Sequence, residues 1–177
     1  RDTIKTINPD VKLQMHEERF TADNALKLLK HYDIVADGSD NFETRFLVND
    51  ACYLTETTLV SAAILRFDAQ LSTYKAHLKN GQQDHPCYRC IFPEVPPADT
   101  TPSCAEAGVL GALCGVVGSL QATEILKEIT GAGISMSGSL LIIDGLGCEF
   151  RKIKINSDPD CPLCGVQPKI TNLSLHA

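Results

Sequence analysis

Tryptophan is absent from the 177 residues, and all aromatics together make up 6%. A binder of single-stranded nucleic acid needs aromatic platforms interleaved with basic residues, and the sequence gathers neither. Lys and Arg number 16 against 22 Asp and Glu, a net charge of −6. That balance lacks the basic face a phosphate backbone requires, which argues against a zinc-ribbon nucleic-acid binder. Long hydrophobic runs are also missing. The longest strongly apolar stretch, 107–120, has 14 residues, short of the roughly 20 that span a bilayer. Residues 1–20 carry eight charged side chains and no apolar signal core. These absences point away from membrane and export and toward the cytoplasm, where thiols stay reduced and structural disulfides are rare.

What is present is ordinary for a folded domain: 44% hydrophobic and 21% charged residues, with length enough for one core. The chain opens at Arg1 rather than Met and enters patterned sequence at once, so it reads as a piece of something longer. Residues 12–17 fit a short strand, 21–32 a helix with Ala25, Leu28 and Leu29 inward, and 33–37 a buried strand. A helix is expected over 41–55, with Phe46, Cys52 and Leu54 inward, then strands over 58–64 and 69–76. Strand–helix–strand alternation implies an α/β fold with a parallel sheet. Residues 80–103 form a long connection rich in Pro, Asp and Gln, of the kind that is usually functional. A helix follows from about 104 to 130, ended by Gly131. Strands are expected at 139–144 and, half-exposed, at 149–155.

Eight cysteines need an explanation other than disulfides. Cys87 and Cys90 form one C-x-x-C pair, Cys161 and Cys164 a second. Each pair can turn two thiolates toward one ion, and two such turns complete the closed tetrahedron of structural zinc. A redox pair would open a helix beside a strand. Here prolines and aspartates flank both pairs, as in loop knuckles.

Asp40 follows a predicted strand and precedes a predicted helix, at the carboxyl end of the sheet where α/β proteins bind ligands. With Glu43 three residues on, it fits a helix capping box; as a carboxylate beside phosphates it could also hold Mg²⁺. Cys104 sits where the polar connection meets the apolar helix, a position that favours the thiolate but equally suits a half-buried structural Cys. Cys52 and Cys114 lie in apolar helical surroundings and are expected in the core, and Cys148 is expected to be structural. Gly108, Gly111, Gly115 and Gly118 fall on one helical face. Glycine costs about 1 kcal/mol in a helix interior, so a close approach is implied, to the sheet or, as the second possibility, to another subunit or peptide.

Taken together, INPD at 7–10, DIVADGSDNFETRFLVND at 33–50, PCYRC at 86–90, SCAEAGVLG at 103–111, GVVGSLQATEILK at 115–127 and CPLC at 161–164 resemble the MoeB/ThiF/HesA family, bacterial relatives of ubiquitin-activating enzymes. The resemblance implies a Rossmann-like, mostly parallel sheet with flanking helices, and a C-terminal part with mixed or antiparallel strands and a four-cysteine zinc knuckle. It implies that ATP activates the C-terminal glycine of a ubiquitin-like sulfur carrier, MoaD- or ThiS-like, for molybdopterin or thiamine synthesis. By that resemblance Asp40 is a catalytic Mg²⁺ ligand, Asn41 and Arg45 complete the ATP-site motif, and Cys87, Cys90, Cys161 and Cys164 hold structural Zn²⁺. Cys104 matches the cysteine that ThiF-like members use for covalent chemistry on the carrier, with Ser103 before it where Thr is common. A homodimer is a family expectation. The family's Gly-rich phosphate loop precedes the Asn-Pro motif, and no G-x-G-x-x-G occurs here. Residues 1–177 are therefore expected to be the carboxyl-terminal two-thirds of one adenylation domain, with its long loop at 80–103. Alone, they are expected to be inactive, the alternative being a non-catalytic, zinc-containing carrier-binding fragment.

Overall fold

The computed structural model describes residues 1–78, 85–97 and 107–177. Its elements are α1 (Asp2–Ile7), α2 (Ala22–Leu29), β1 (Ile34–Asp37), α3 (Phe42–Leu54), β2 (Thr58–Leu65), β3 (Asp68–Tyr74), α4 (Gly111–Thr130), β4 (Ser139–Asp144) and β5 (Glu149–Lys154). Short 3₁₀ turns occupy Tyr88–Cys90 and Ser174–His176.

The five strands lie in chain order in one mixed sheet. β1 pairs with β2 in parallel, Asp37 opposite Ser61. The ladders β2–β3, β3–β4 and β4–β5 are antiparallel. The α/β class and the antiparallel C-terminal part are as expected, whereas parallel pairing is confined to one ladder of the four among the described residues. The cause is in the connections. β1 and β2 are joined through a helix, α3, as a parallel crossover requires; β2–β3 and β4–β5 turn back tightly, and the longer connection through α4 returns β4 antiparallel to β3. Residues 12–17 run exposed apart from half-buried Leu13 and form no strand, because no ladder partner lies beside them among the described residues.

Period-two alternation sends β2 to both faces. Leu59 joins α2 and α3 in a cluster with Ala25, Leu29, Phe46, Leu47, Ala51, Cys52 and Tyr74. Val60 and Ala62 face the other way, onto Leu113 and Val117 of α4 with Leu71 and Ile143. The sheet is thus sandwiched between α2/α3 and α4.

Helix starts follow local chemistry. Thr21 precedes α2 and donates its N–H to Asn24 Oδ1 at 2.9 Å. Asn41 caps α3, its Oδ1 accepting Thr44 N–H at 2.8 Å. Of the helix expected from about 104, residues 104–106 lie outside the described residues, and α4 itself runs over Gly111–Thr130. Gly108 has φ +72°, a left-handed conformation no α-helix carries through. Its carbonyl accepts Arg66 N–H, and Leu110 N–H returns to Arg66 O, so this segment is committed to the β2–β3 turn. The expectation at 149–155 also shifts: all six residues of β5 are exposed. It is the edge strand, and its Arg151, Lys152 and Lys154 are the charges that discourage further pairing.

The glycine face of α4 is turned away from the sheet. A Cβ at Gly111, Gly115 or Gly118 would meet nothing within 4 Å, so tight packing on the sheet does not explain them. Cys114 is exposed on the same outer surface, not in the core, because Leu113 and Val117 take the inward i, i+4 positions. Cys52 is buried as expected, and Cys148 is exposed in a turn with φ +53°.

Candidate functional site

The chain leaves β1 at Asp37, which is buried, while Asp40 and Asn41 are exposed. The intervening turn is held from three sides. Ser39 N–H donates to Asp37 Oδ1 at 2.9 Å, and the Ser61 hydroxyl of β2 donates to Asp37 Oδ2 at 2.9 Å. Arg45 of α3 reaches back to donate to the Ser39 carbonyl. Gln121 of α4 donates through Nε2 to the backbone oxygens of Asp37 and Val60, at 2.8 and 2.9 Å.

Asp40 is not the helix cap, because Asn41 takes that position one residue later. That shift frees the Asp40 carboxylate. It accepts from Asn41 Nδ2, at 3.2 Å, and it stands at the amino end of α3 and the carboxyl end of a parallel strand pair. Mg²⁺ takes one or two protein carboxylates and fills its octahedron with water and phosphate oxygens. A single exposed carboxylate here fits that demand. Arg45, by contrast, is buried and spends its guanidinium on the turn's backbone. It also faces Tyr88, whose phenol burial pushes up and the Arg45 charge pulls partly back.

A second cluster lies behind α3. Cys87, Cys90, Cys161 and Cys164 bring their sulfurs within 4.8 Å of one another. The close pairs measure 3.5 Å for Cys87–Cys161, 3.4 Å for Cys90–Cys164, 3.4 Å for Cys87–Cys164 and 3.9 Å for Cys87–Cys90. A tetrahedron with Zn–S bonds of 2.3 Å has edges of about 3.8 Å, so the four sulfurs need only slight adjustment around an ion. Four crowded thiols share protons unequally. Cys161, Cys164 and Cys90 push the Cys87 thiol far up; Cys164, Cys87 and Cys90 pull Cys161 far down. A divalent cation relieves that conflict by taking all four as thiolates.

The surrounding chain fixes this cluster. Gly165 closes the second knuckle, where a Cβ would meet Pro159 O at 2.5 Å and Cys161 O at 2.6 Å. Asn49 Oδ1 accepts Tyr88 N–H at 2.9 Å. Asp50, fully buried, accepts from Arg89 Nε and Nη2 at 2.7 and 2.8 Å, and lies 2.8 Å from His176 Nε2. Asp50, Arg89 and Gln121 stand inside sequence motifs, but nothing in the sequence assigns them, His176 or Ser61 a role, because their partners lie dozens of residues away. Cys104 lies outside the described residues.

The chain matches the ThiF family over residues 1–163. It belongs to that family. A Thermus thermophilus sulfur carrier protein adenylyltransferase is 47% identical over 93% of this chain and 60% of the relative. The Mus musculus adenylyltransferase and sulfurtransferase MOCS3 is 47% identical over 96% of this chain and 36% of the relative. The chain therefore spans less than two thirds of each of these ThiF-family relatives. Among solved structures, Escherichia coli MccB superposes with a TM-score of 0.67 at 13% identity, over 94% of this chain and 49% of the other. At that identity the likeness shows the shared fold alone.

Proposed function

We propose that this chain is the carboxyl-terminal two-thirds of a ThiF-type domain that adenylates the C-terminal glycine of a ubiquitin-like sulfur carrier, MoaD- or ThiS-like, for molybdopterin or thiamine synthesis. The observation that carries this reading is its 47% identity to a sulfur carrier protein adenylyltransferase. The free Asp40 carboxylate at the carboxyl end of β1 supports it.

In this reaction a carboxylate oxygen of the carrier attacks the α-phosphorus of ATP. A bond forms between that oxygen and the phosphorus, the bond to the β-phosphate's bridging oxygen breaks, and pyrophosphate leaves. Two anions must be aligned and their charge offset. Mg²⁺ would neutralise charge on the phosphates, with Asp40 as its protein ligand. Asn41 sits beside Asp40 to orient its carboxylate, and Arg45 keeps the turn in place. The sequence holds no G-x-G-x-x-G loop, so these residues by themselves are read as inactive. The four cysteines are read as a closed structural zinc site without an open position for chemistry. Cys104 is assigned the covalent step on the carrier.

The carrier needs an apolar landing surface. Phe67, Val109, Leu110 and Leu146 are exposed around turns joined by the Gly145 N–H to Phe67 O and Leu110 N–H to Arg66 O bonds. That surface is at the end of β2 beyond the Asp40 turn. The bare, apolar outer face of α4 suits a second copy of the chain, as a homodimer requires. No helix among the described residues is long and apolar enough to cross a membrane, and a cytoplasmic setting keeps the thiols reduced.

The test is ATP–pyrophosphate exchange by the full-length protein with a Gly-Gly-tailed carrier. Exchange that needs the carrier's terminal carboxylate is expected, and its absence sinks the enzyme reading. Metal analysis of protein prepared without chelator is expected to give one zinc per chain; clearly less defeats the zinc assignment.

A further inference from the structure

We infer that Gln121 is a positioning residue for Asp40, acting with Ser61 through the backbone and side chain of Asp37; this rests on the proposed role of Asp40. Gln121 belongs to α4, on the face of the sheet opposite α3. Its amide nitrogen lies 2.8 Å from Asp37 O and 2.9 Å from Val60 O. Both neighbours are carbonyl oxygens, so the NH₂ end must face them, and an amide NH₂ has two hydrogens to give. One side chain thereby ties α4 to the last residue of β1 and to the neighbouring strand.

Asp37 passes that constraint onward. Its carboxylate is buried and accepts Ser39 N–H on one oxygen and the Ser61 hydroxyl on the other. Ser39 in turn gives its carbonyl to Arg45. Asp40 is the next residue, exposed and without a structural bond of its own beyond Asn41. The direction of Asp40 is therefore set by the backbone of residues 37–39, which three elements grip: α4 through Gln121, β2 through Ser61 and α3 through Arg45. Helix packing alone does not require an amide at 121. Leu113, Val117 and Leu120 supply the apolar contact of α4 with the sheet.

Gln121→Met keeps the length and volume and removes both donors. Ser61→Ala removes the donor to the other end of the clamp. Leu120→Ala weakens the same helix contact without touching a hydrogen bond, and serves as the stability-matched comparison. In the full-length protein, amide exchange at Ser39, whose N–H the Asp37 carboxylate accepts, is expected to rise about tenfold in Gln121→Met and in Ser61→Ala. Leu120→Ala at equal loss of Tm is expected to leave it unchanged. In pyrophosphate exchange, KM for ATP is expected to rise about tenfold with KM for the carrier unchanged. Parental exchange at Ser39 in both clamp variants, or equal change in Leu120→Ala, overturns the inference. Should the parent protein show no pyrophosphate exchange at all, the proposed function fails, while the amide measurement still decides the clamp.

Discussion

Asp50 has no exposed surface, yet it is a carboxylate-bearing residue met by a guanidinium. Burial of an isolated carboxylate is prohibitive, so its neighbours must compensate. Arg89 forks onto both oxygens, Asn49 Nδ2 adds a bond to Oδ1 at 3.0 Å, and His176 meets Oδ2. Arg89 is itself held by Pro93 O at 3.0 Å and by the Phe46 ring, 4.6 Å below its guanidinium carbon. Such a pair adds little net stability over an apolar one, but losing one partner strands the other. Asp50→Asn is expected to lower unfolding stability by about 3–5 kcal/mol with the metal kept in place, measured by urea denaturation. Adding Arg89→Met to that variant is expected to restore part of the loss, because the stranded charge goes with it. A single-variant loss under about 1 kcal/mol, the range of exposed pairs, would show that the two groups are not coupled. None of this was legible from the sequence. Phe46 and Cys52 could be placed in the core from helical spacing alone, but Asp50 lies between them and looks like a solvent-facing residue until Arg89 and His176 arrive from elsewhere in the chain.

At the level of the element, α3 shows where local reading works and where it slips. Its existence, length and apolar face follow from its own sequence. Its cap does not, because Asp40 and Asn41 are both good N-cap residues and only the backbone decides between them. Asn41 has the extended φ of −138° and ψ of 152° that a cap needs, since the turn before it is already fixed by Asp37, Ser61 and Arg45. Asn41→Ala is therefore expected to cost about 1 kcal/mol, and Asp40→Ala close to nothing, in thermal or urea unfolding. The reverse order would return the cap to Asp40 and withdraw its free carboxylate. The same logic accounts for the break before α4 and the absent strand at 12–17: helix spacing continues through Gly108 in the sequence, and extended residues look like a strand, but the first is interrupted by a bridge to Arg66 and the second lacks a neighbour. Secondary structure that depends on a long-range partner is where a single sequence is least informative.

Across the whole molecule, the cysteine cluster joins segments 74 residues apart in sequence, Cys87 with Cys161. The two C-x-x-C pairs announce that link in the sequence; the chain it anchors is less obvious. Beyond Cys164 the tail looks polar and loose, yet Leu173 is buried in the α2/α3 core and His176 reaches Asp50. The tail thus returns to α3 through contacts that are individually few. Closing a loop of this length costs several kcal/mol of chain entropy, about 4 kcal/mol on the scale used for cross-links, and an ion held by the proposed four-cysteine site would supply that closure. Chelation is therefore expected to act unevenly. Treatment with a strong chelator should lower Tm, and amide protection should be lost first at residues 156–177 and around Cys87–Cys90, before the β2–β3 ladder opens. Limited proteolysis should cut the metal-free protein within the tail and leave the sheet intact. If the tail stays protected without metal, Leu173 and His176 suffice to hold it, and the ion serves only the knuckle. If the sheet and the tail melt together, the ion is part of the one cooperative core, and the ladder strands should show the same loss of protection as Leu173.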